Sequence, residues 1–233
     1  MSTKIEEIDS TFSEIWSCKK NLVCGDLFLN PGLANDIFFN KLTNITCLDD
    51  SMISEAVLEF KKINSQVFVY SLNYPDLENF LIKRNFIYHD SQHVLKKDTA
   101  SQVKSEPEKI SQVNSKVWAM VFCKAYDCMD WLDTVDSIVK NSISQIEYYV
   151  DSTHSACVAL IKRNSILGLY CLGTVPSKRN QGLASSLIDF ALWKVKYENL
   201  DFLVLETYEK DGLLDFYKKL GFEDLYQKKI YTI

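Results

Sequence analysis

The chain has 233 residues, 47% of them hydrophobic and 24% charged, with a formal net charge of −5. That is enough apolar sequence for one large or two small domains with a packed core needing neither metal nor disulfide framework. The acidic balance argues against nucleic acid as the main partner, because phosphate binding needs clustered Lys and Arg.

Seven cysteines, an odd number with no C-x-x-C pair, read as free thiols in a reducing, cytoplasmic compartment. The opening MSTKIEEIDS lacks the apolar stretch of a signal peptide, and the longest apolar run, Ile166 to Val175, is too short to span a membrane.

The first clear elements are a strand, SQVFVYSL (65–72), a helix entered through Pro75, PDLENFLIKRNF (75–86), and a strand, IYHDSQHVLKK (87–97). Residues 96–116, rich in Ser, Gln, Lys and Glu and without an aromatic residue, contain a linker placed at 98–107. SKVWAMVFCKAY (115–126) reads as a helix, and residues 155–175 read as two strands joined by a tight Arg-Asn-Ser turn. In 182–197, Leu183, Leu187, Ala191 and Val195 recur at four-residue steps, the stripe of an amphipathic helix. A strand (200–208), a short helix stopped at Gly221 and an alternating final strand (223–233) complete an α/β (α+β) pattern.

The two halves share an ending. NFLIKRNF (79–86) set over DFYKKLGF (215–222) aligns Phe80 with Phe216, Lys83 with Lys219 and Phe86 with Phe222. Asn85 falls on Gly221, and asparagine is the other residue that tolerates a left-handed backbone. FVYS (68–71) falls on VLET (204–207), while Leu81 stands where the second half has Tyr217. The expected organisation is two homologous domains, 1–97 and 108–233, about the linker.

One stretch carries chemistry. TVPSKRNQGLAS (174–185) follows a strand and opens a helix. A helix start has free backbone N–H groups and partial positive charge, and it binds phosphate where small residues let the backbone come close. Gly182 and Ala184 give that closeness, Lys178 and Arg179 give charge, Asn180 and Gln181 offer amides, and Ser185 and Ser186 hydroxyls. The other phosphate motifs, G-x-x-x-x-G-K-[ST] and G-x-G-x-x-G, are absent.

Arg179, Gly182 and Ala184 fill the [RQ]-x-x-G-x-[GA] core of a signature that resembles that of the GNAT family, the Gcn5-related N-acetyltransferases, and Tyr217, Gly221 and Phe222 resemble its Y-x-x-x-G-F ending. The resemblance covers residues 110–233 and implies a mixed central sheet flanked by helices, in a tandem arrangement with a degenerate first half. It implies acetyl-CoA as co-substrate, no metal, and acetyl transfer to an amine of a small molecule or peptide. The backbone of Arg179, Asn180, Gln181, Gly182, Leu183 and Ala184, with Ser185 adjacent, would cradle the pyrophosphate. Thr174 and Val175 would bond the pantetheine arm and acetyl carbonyl, and Tyr217 would protonate the leaving thiolate.

Two positions depart from the family. The asparagine often found after the fifth strand is missing, with Thr207 as a replacement, and the fourth strand lacks a carboxylate. Glu206, Asp151, His154 and Glu147 are then the candidate bases or amine-binding groups, directly or through water. These departures leave open a non-catalytic acyl-CoA-binding or interaction module on a degenerate GNAT fold. The reading expects a monomer or homodimer without membrane or nucleic-acid partners. His89 and His93 lack further ligands for a metal and read as surface residues.

Overall fold

The computed structural model describes residues 2–98 and 110–233. In chain order these form α1 (Ser2–Trp16), β1 (Cys18–Leu22), β2 (Gly25–Leu29), β3 (Lys41–Thr43), α2 (Asp50–Lys62), β4 (Val69–Leu72), α3 (Pro75–Ile82) and β5 (Ile87–Asp98). There follow β6 (Ile110–Gln112), α4 (Ser115–Tyr126), α5 (Leu132–Ser142), β7 (Glu147–Asp151), β8 (Ala156–Arg163) and β9 (Ile166–Thr174). The last are α6 (Leu183–Tyr197), β10 (Phe202–Tyr208), α7 (Leu214–Lys219) and β11 (Glu223–Thr232).

Two compact units result, each built from two stretches of chain. One comprises Met1–Asp9 with Lys96–Leu205, the other Ser10–Leu95 with Glu206–Ile233. These units cut across the division into 1–97 and 108–233. Of the linker expected at 98–107, all but Asp98 lies outside the described residues.

In the first unit the strand order is β10-β9-β8-β7-β6, antiparallel from β9 to β6 and parallel between β9 and β10. The β8–β9 hairpin turns on Asn164 and Ser165, both at positive φ (51° and 62°), as a two-residue turn between right-twisted strands requires. Helix α4 buries Trp118 and Phe122, and the Trp118 indole donates to the Val158 carbonyl at 3.1 Å. Helix α6 buries Leu187, Ala191 and Val195 of the predicted stripe, while Leu183 is half-buried.

In the second unit the order is β1-β2-β3-β4-β11-β5. Strand β11 runs antiparallel to β4, with Tyr70 opposite Ile230, so the final strand of the chain lies between two strands of its first half. Leu77 and Leu81 of α3, Phe60 of α2, Val69 and Tyr231 share one core. The two helices compared in sequence end alike. Asn85 (φ 64°) and Gly221 (φ 84°) are left-handed, and Phe86 N–H donates to Leu81 O as Phe222 N–H donates to Tyr217 O, both at 3.1 Å.

The cysteine expectation is corrected at one pair. Cys24 and Cys47 form a disulfide, with Cα atoms 5.5 Å apart, joining the start of β2 region to the loop after β3. The spacing of these residues gave no signal because the contact depends on how β2 and β3 pair. Cys18, Cys123, Cys128, Cys157 and Cys171 are free thiols. Among the described residues no helix is long and apolar enough to cross a membrane.

Candidate functional site

The site begins in a defect of β9. Along β8 the register steps from Cys157 opposite Gly173 to Ala159 opposite Tyr170, so Val158 alone faces both Cys171 and Leu172. This is a β-bulge, and Cys171 carries it at φ 53°, a conformation unfavourable for a non-glycine residue. A bulge bends its strand. The parallel ladder with β10 ends at Leu169 opposite Leu205, and β9 runs on to Thr174 without it.

The bent end is held by α4. Tyr126 Oη donates to Leu172 O at 3.1 Å. A Cβ on Gly173 would lie 2.8 Å from Ala125 Cβ and 2.8 Å from the Tyr126 ring, so the close approach of helix to strand requires glycine there.

Beyond Thr174 the chain makes one 3-10 turn, Pro176–Lys178, and then an exposed loop. Asn180 (φ 60°) and Gly182 (φ 79°) are both left-handed, and their alternation with extended Arg179 curls the backbone. Gly182 is the N-cap of α6, which receives no side-chain cap. The N–H groups of Leu183, Ala184 and Ser185 precede the first intrahelical bond, Ser186 N–H to Gly182 O. No atom lies within 4 Å of a Cβ built on Gly182. The result is an exposed helix start with uncapped donors, a geometry that receives anions.

Two predicted contacts have partners within the protein. Val175 N–H donates to Ser155 O at 2.8 Å. Arg179 Nε donates to Thr174 O at 3.2 Å and Nη2 to Ala125 O at 3.1 Å, so this guanidinium ties the loop to β9 and to the end of α4. In the antiparallel pattern Thr174, next to the bonded Val175–Ser155 pair, turns its own N–H away from β8.

Solved structures share this architecture. A GCN5-related N-acetyltransferase from Kribbella flavida matches with a TM-score of 0.64 at 15% identity, over 97% of this chain and 94% of its own. One from Sphaerobacter thermophilus matches at 0.61 and 10% identity, over 99% and 89%. A tandem GNAT protein from the clavulanic acid biosynthesis pathway matches at 0.61 and 13% identity, over 90% and 78%. The chain has the GNAT fold. No protein-family model matches the sequence, and neither does any curated protein.

On this GNAT fold the remaining candidates fall in different places. Thr174, Val175 and residues 179–185 belong to the first unit, Thr207 and Tyr217 to the second. Thr207 Oγ1 is buried without a hydrogen-bond partner. Tyr217 is buried beside Phe216 and Phe222, and burial, with Asp211 nearby, pushes its phenol up to about 12.

The candidate bases separate clearly. The Asp151 carboxylate accepts from the backbone N–H of Thr153 (2.8 Å), Ser155 (2.7 Å) and Ala156 (2.6 Å) and from the Thr153 hydroxyl. Burial opposes its charge, but these bonds outweigh it and hold the carboxyl below the usual range. It is a staple of the β7–β8 turn. Glu147 pairs with Lys194 at 2.9 Å, and His154 sits exposed in that same turn at φ 52°. Glu206 is paired with Lys228 at 3.1 Å.

The two histidines are apart in role. His93 bonds Asp224 at 2.8 Å, whereas His89 lies against Phe68 and is pushed toward neutrality by burial and Lys210. Sequence reading missed the bulge at Cys171 and the anchors at Ala125 and Tyr126. Gly173 was the available signal for the close approach.

Proposed function

We infer that the protein is an acetyl-CoA-dependent N-acetyltransferase acting on an amine. One observation carries this reading: the bulged, freed end of β9 leads through a left-handed loop into the uncapped start of α6. Backbone N–H groups from Arg179 to Ala184, with Ser185 beside them, would hold the pyrophosphate. The Thr174 N–H, turned away from β8, suits the pantetheine arm or the thioester carbonyl better than the engaged Val175 N–H. Thr207 Oγ1, buried and unpaired, fits as a donor to the arm in place of the missing asparagine.

Acetyl-CoA supplies an activated thioester. The neutral acceptor amine adds to its carbonyl carbon, the C–N bond forms, the C–S bond breaks, the nitrogen gives up one proton to solvent, and the thiolate takes up another. Tyr217 would supply that proton or hydrogen-bond the developing thiolate. Its raised pKa keeps it protonated at neutral pH and makes it a weaker acid than a free phenol. That same weakness favours the second reading, a module that binds acyl-CoA without turnover.

Calorimetric titration with acetyl-CoA tests the proposal, alongside an Arg179→Ala/Gly182→Asp double variant. One-to-one binding lost in the variant supports the loop, and no binding by the wild type sinks the transferase reading. Acetyl transfer to an amine panel then separates enzyme from binding module.

A further inference from the structure

The second unit has no glycine loop of its own, yet four of its strand segments meet in a buried polar cluster. Lys228 Nζ on β11 donates to Glu206 Oε1 at 3.1 Å. Gln92 Nε2 on β5 donates to Glu206 Oε2 at 3.0 Å and approaches Tyr208 Oη at 3.5 Å. Tyr208 Oη bonds Tyr70 Oη of β4 at 2.9 Å, and Tyr70 donates to Ile37 O at 3.0 Å. Gln92 and Lys228 are 0% and 1% exposed. Such a network is costly unless every member is satisfied.

One member is not satisfied. Gln92 Oε1 is buried with no hydrogen-bond partner. An amide oxygen has two lone pairs and can only accept, so the missing group is a donor. The Gln92 amide hydrogens are directed to Glu206 and Tyr208, which leaves its own oxygen as the acceptor to be filled. Glu206 and Tyr208 alternate with buried Leu205 and Thr207 along β10; the Glu206 side chain is 5% exposed, and half-buried Tyr208 is the member of the cluster nearest to solvent.

We propose that Gln92, Glu206 and Tyr208 form a binding site for a primary ammonium group, with Gln92 Oε1 as the dedicated acceptor. Lys228 already offsets the Glu206 charge, so selection rests on N–H donors rather than on net charge. The site lies wholly within the second unit, goes beyond the transferase reading and does not depend on it.

The test titrates the full chain at neutral pH with butylamine, tetramethylammonium and 1-butanol, following melting temperature and heat. Butylamine binding that falls about tenfold in Gln92→Leu and in Glu206→Gln supports the site. Tetramethylammonium has no N–H and should do nothing. An equal response to tetramethylammonium or to butanol, no response to butylamine, or unchanged binding in the variants overturns the proposal. The probe comparison on wild type decides the matter even where a variant fails to fold. Acetyl-CoA titrated into the same samples keeps two failures apart. Butylamine binding without acetyl-CoA binding removes the transferase reading and leaves this site, and the converse removes this site alone.

Discussion

Arg179 donates its Nε–H to the carbonyl of Thr174 at 3.2 Å, so the loop closes back on the strand that feeds it. The same guanidinium holds Ala125 O at 3.1 Å, fixing three elements with one planar fork. Arg179→Ala should leave the fold intact and weaken acetyl-CoA binding about tenfold. Arg179→Lys should rescue little of this, because an ammonium on a flexible stem cannot reproduce the fork. Calorimetry on both variants checks the difference.

Gly173 and Gly182 are needed for opposite reasons. Alanine at Gly173 meets Ala125 and the Tyr126 ring at 2.8 Å, so Gly173→Ala should cost about 1–3 kcal/mol of stability through overpacking. Alanine at Gly182 meets nothing within 4 Å but must hold φ 79°, a cost of about 1–2 kcal/mol. Its methyl would stand in the space proposed for the pyrophosphate. Denaturant melts should rank Gly173→Ala as the less stable, and acetyl-CoA titration should rank Gly182→Ala as the weaker binder.

Asp151 predicts a pH signature. Its folded pKa is depressed, so it adds stability above the unfolded value near 3.9 and loses it as pH falls through the folded value. Asp151→Ala should cost about 2 kcal/mol at neutral pH. The gap from wild type should close as the solution is acidified below about pH 4. Thermal melts across that range measure it, and a constant gap would mean the carboxylate charge is irrelevant to the turn.

Tyr217→Phe should lower kcat about 100-fold while leaving acetyl-CoA affinity unchanged, if the phenol serves the leaving thiolate. The folded pKa is raised, so the hydroxyl's stabilising burial is complete below about pH 10 and is lost as pH rises toward about 12. A variant with wild-type kcat would assign this tyrosine to the core that it shares with Phe222.

Local pattern was legible where one periodicity ruled. The stripe of α6 and the Asn164–Ser165 hairpin could be read because four-residue steps and left-handed-tolerant residues are local signals. Helix α1 offered the same kind of signal in Ile5, Ile8, Phe12 and Trp16, all buried, and went unread. Strand β1, CKKNL, carried none, being polar and largely exposed. The bulge was hidden because cysteine has no preference for positive φ; next to it Tyr126 of α4 bonds the Leu172 carbonyl. Lys41 and Lys228 carry no local signal of burial, and only the folded sheet shows both buried. The exposed, curled backbone of 174–185 was legible because small and left-handed-tolerant residues stand there, whereas the partners of Val175 N–H and Thr174 O are set by pairing and by Arg179.

The place of β11 has a consequence for synthesis. Tyr70 leaves the ribosome well before its strand partner Ile230, which is made after the other described elements. The sheet of the second unit therefore stays open until β11 is made, with β4 awaiting a neighbour after both stretches of the first unit, Met1–Asp9 and Lys96–Leu205, are complete. Pairing over so long a separation is slow, and the waiting edge is the stretch of this chain most exposed to wrong partners. A chain without residues 223–232 lacks the strand between β4 and β5, so that loss should disrupt strands made far earlier.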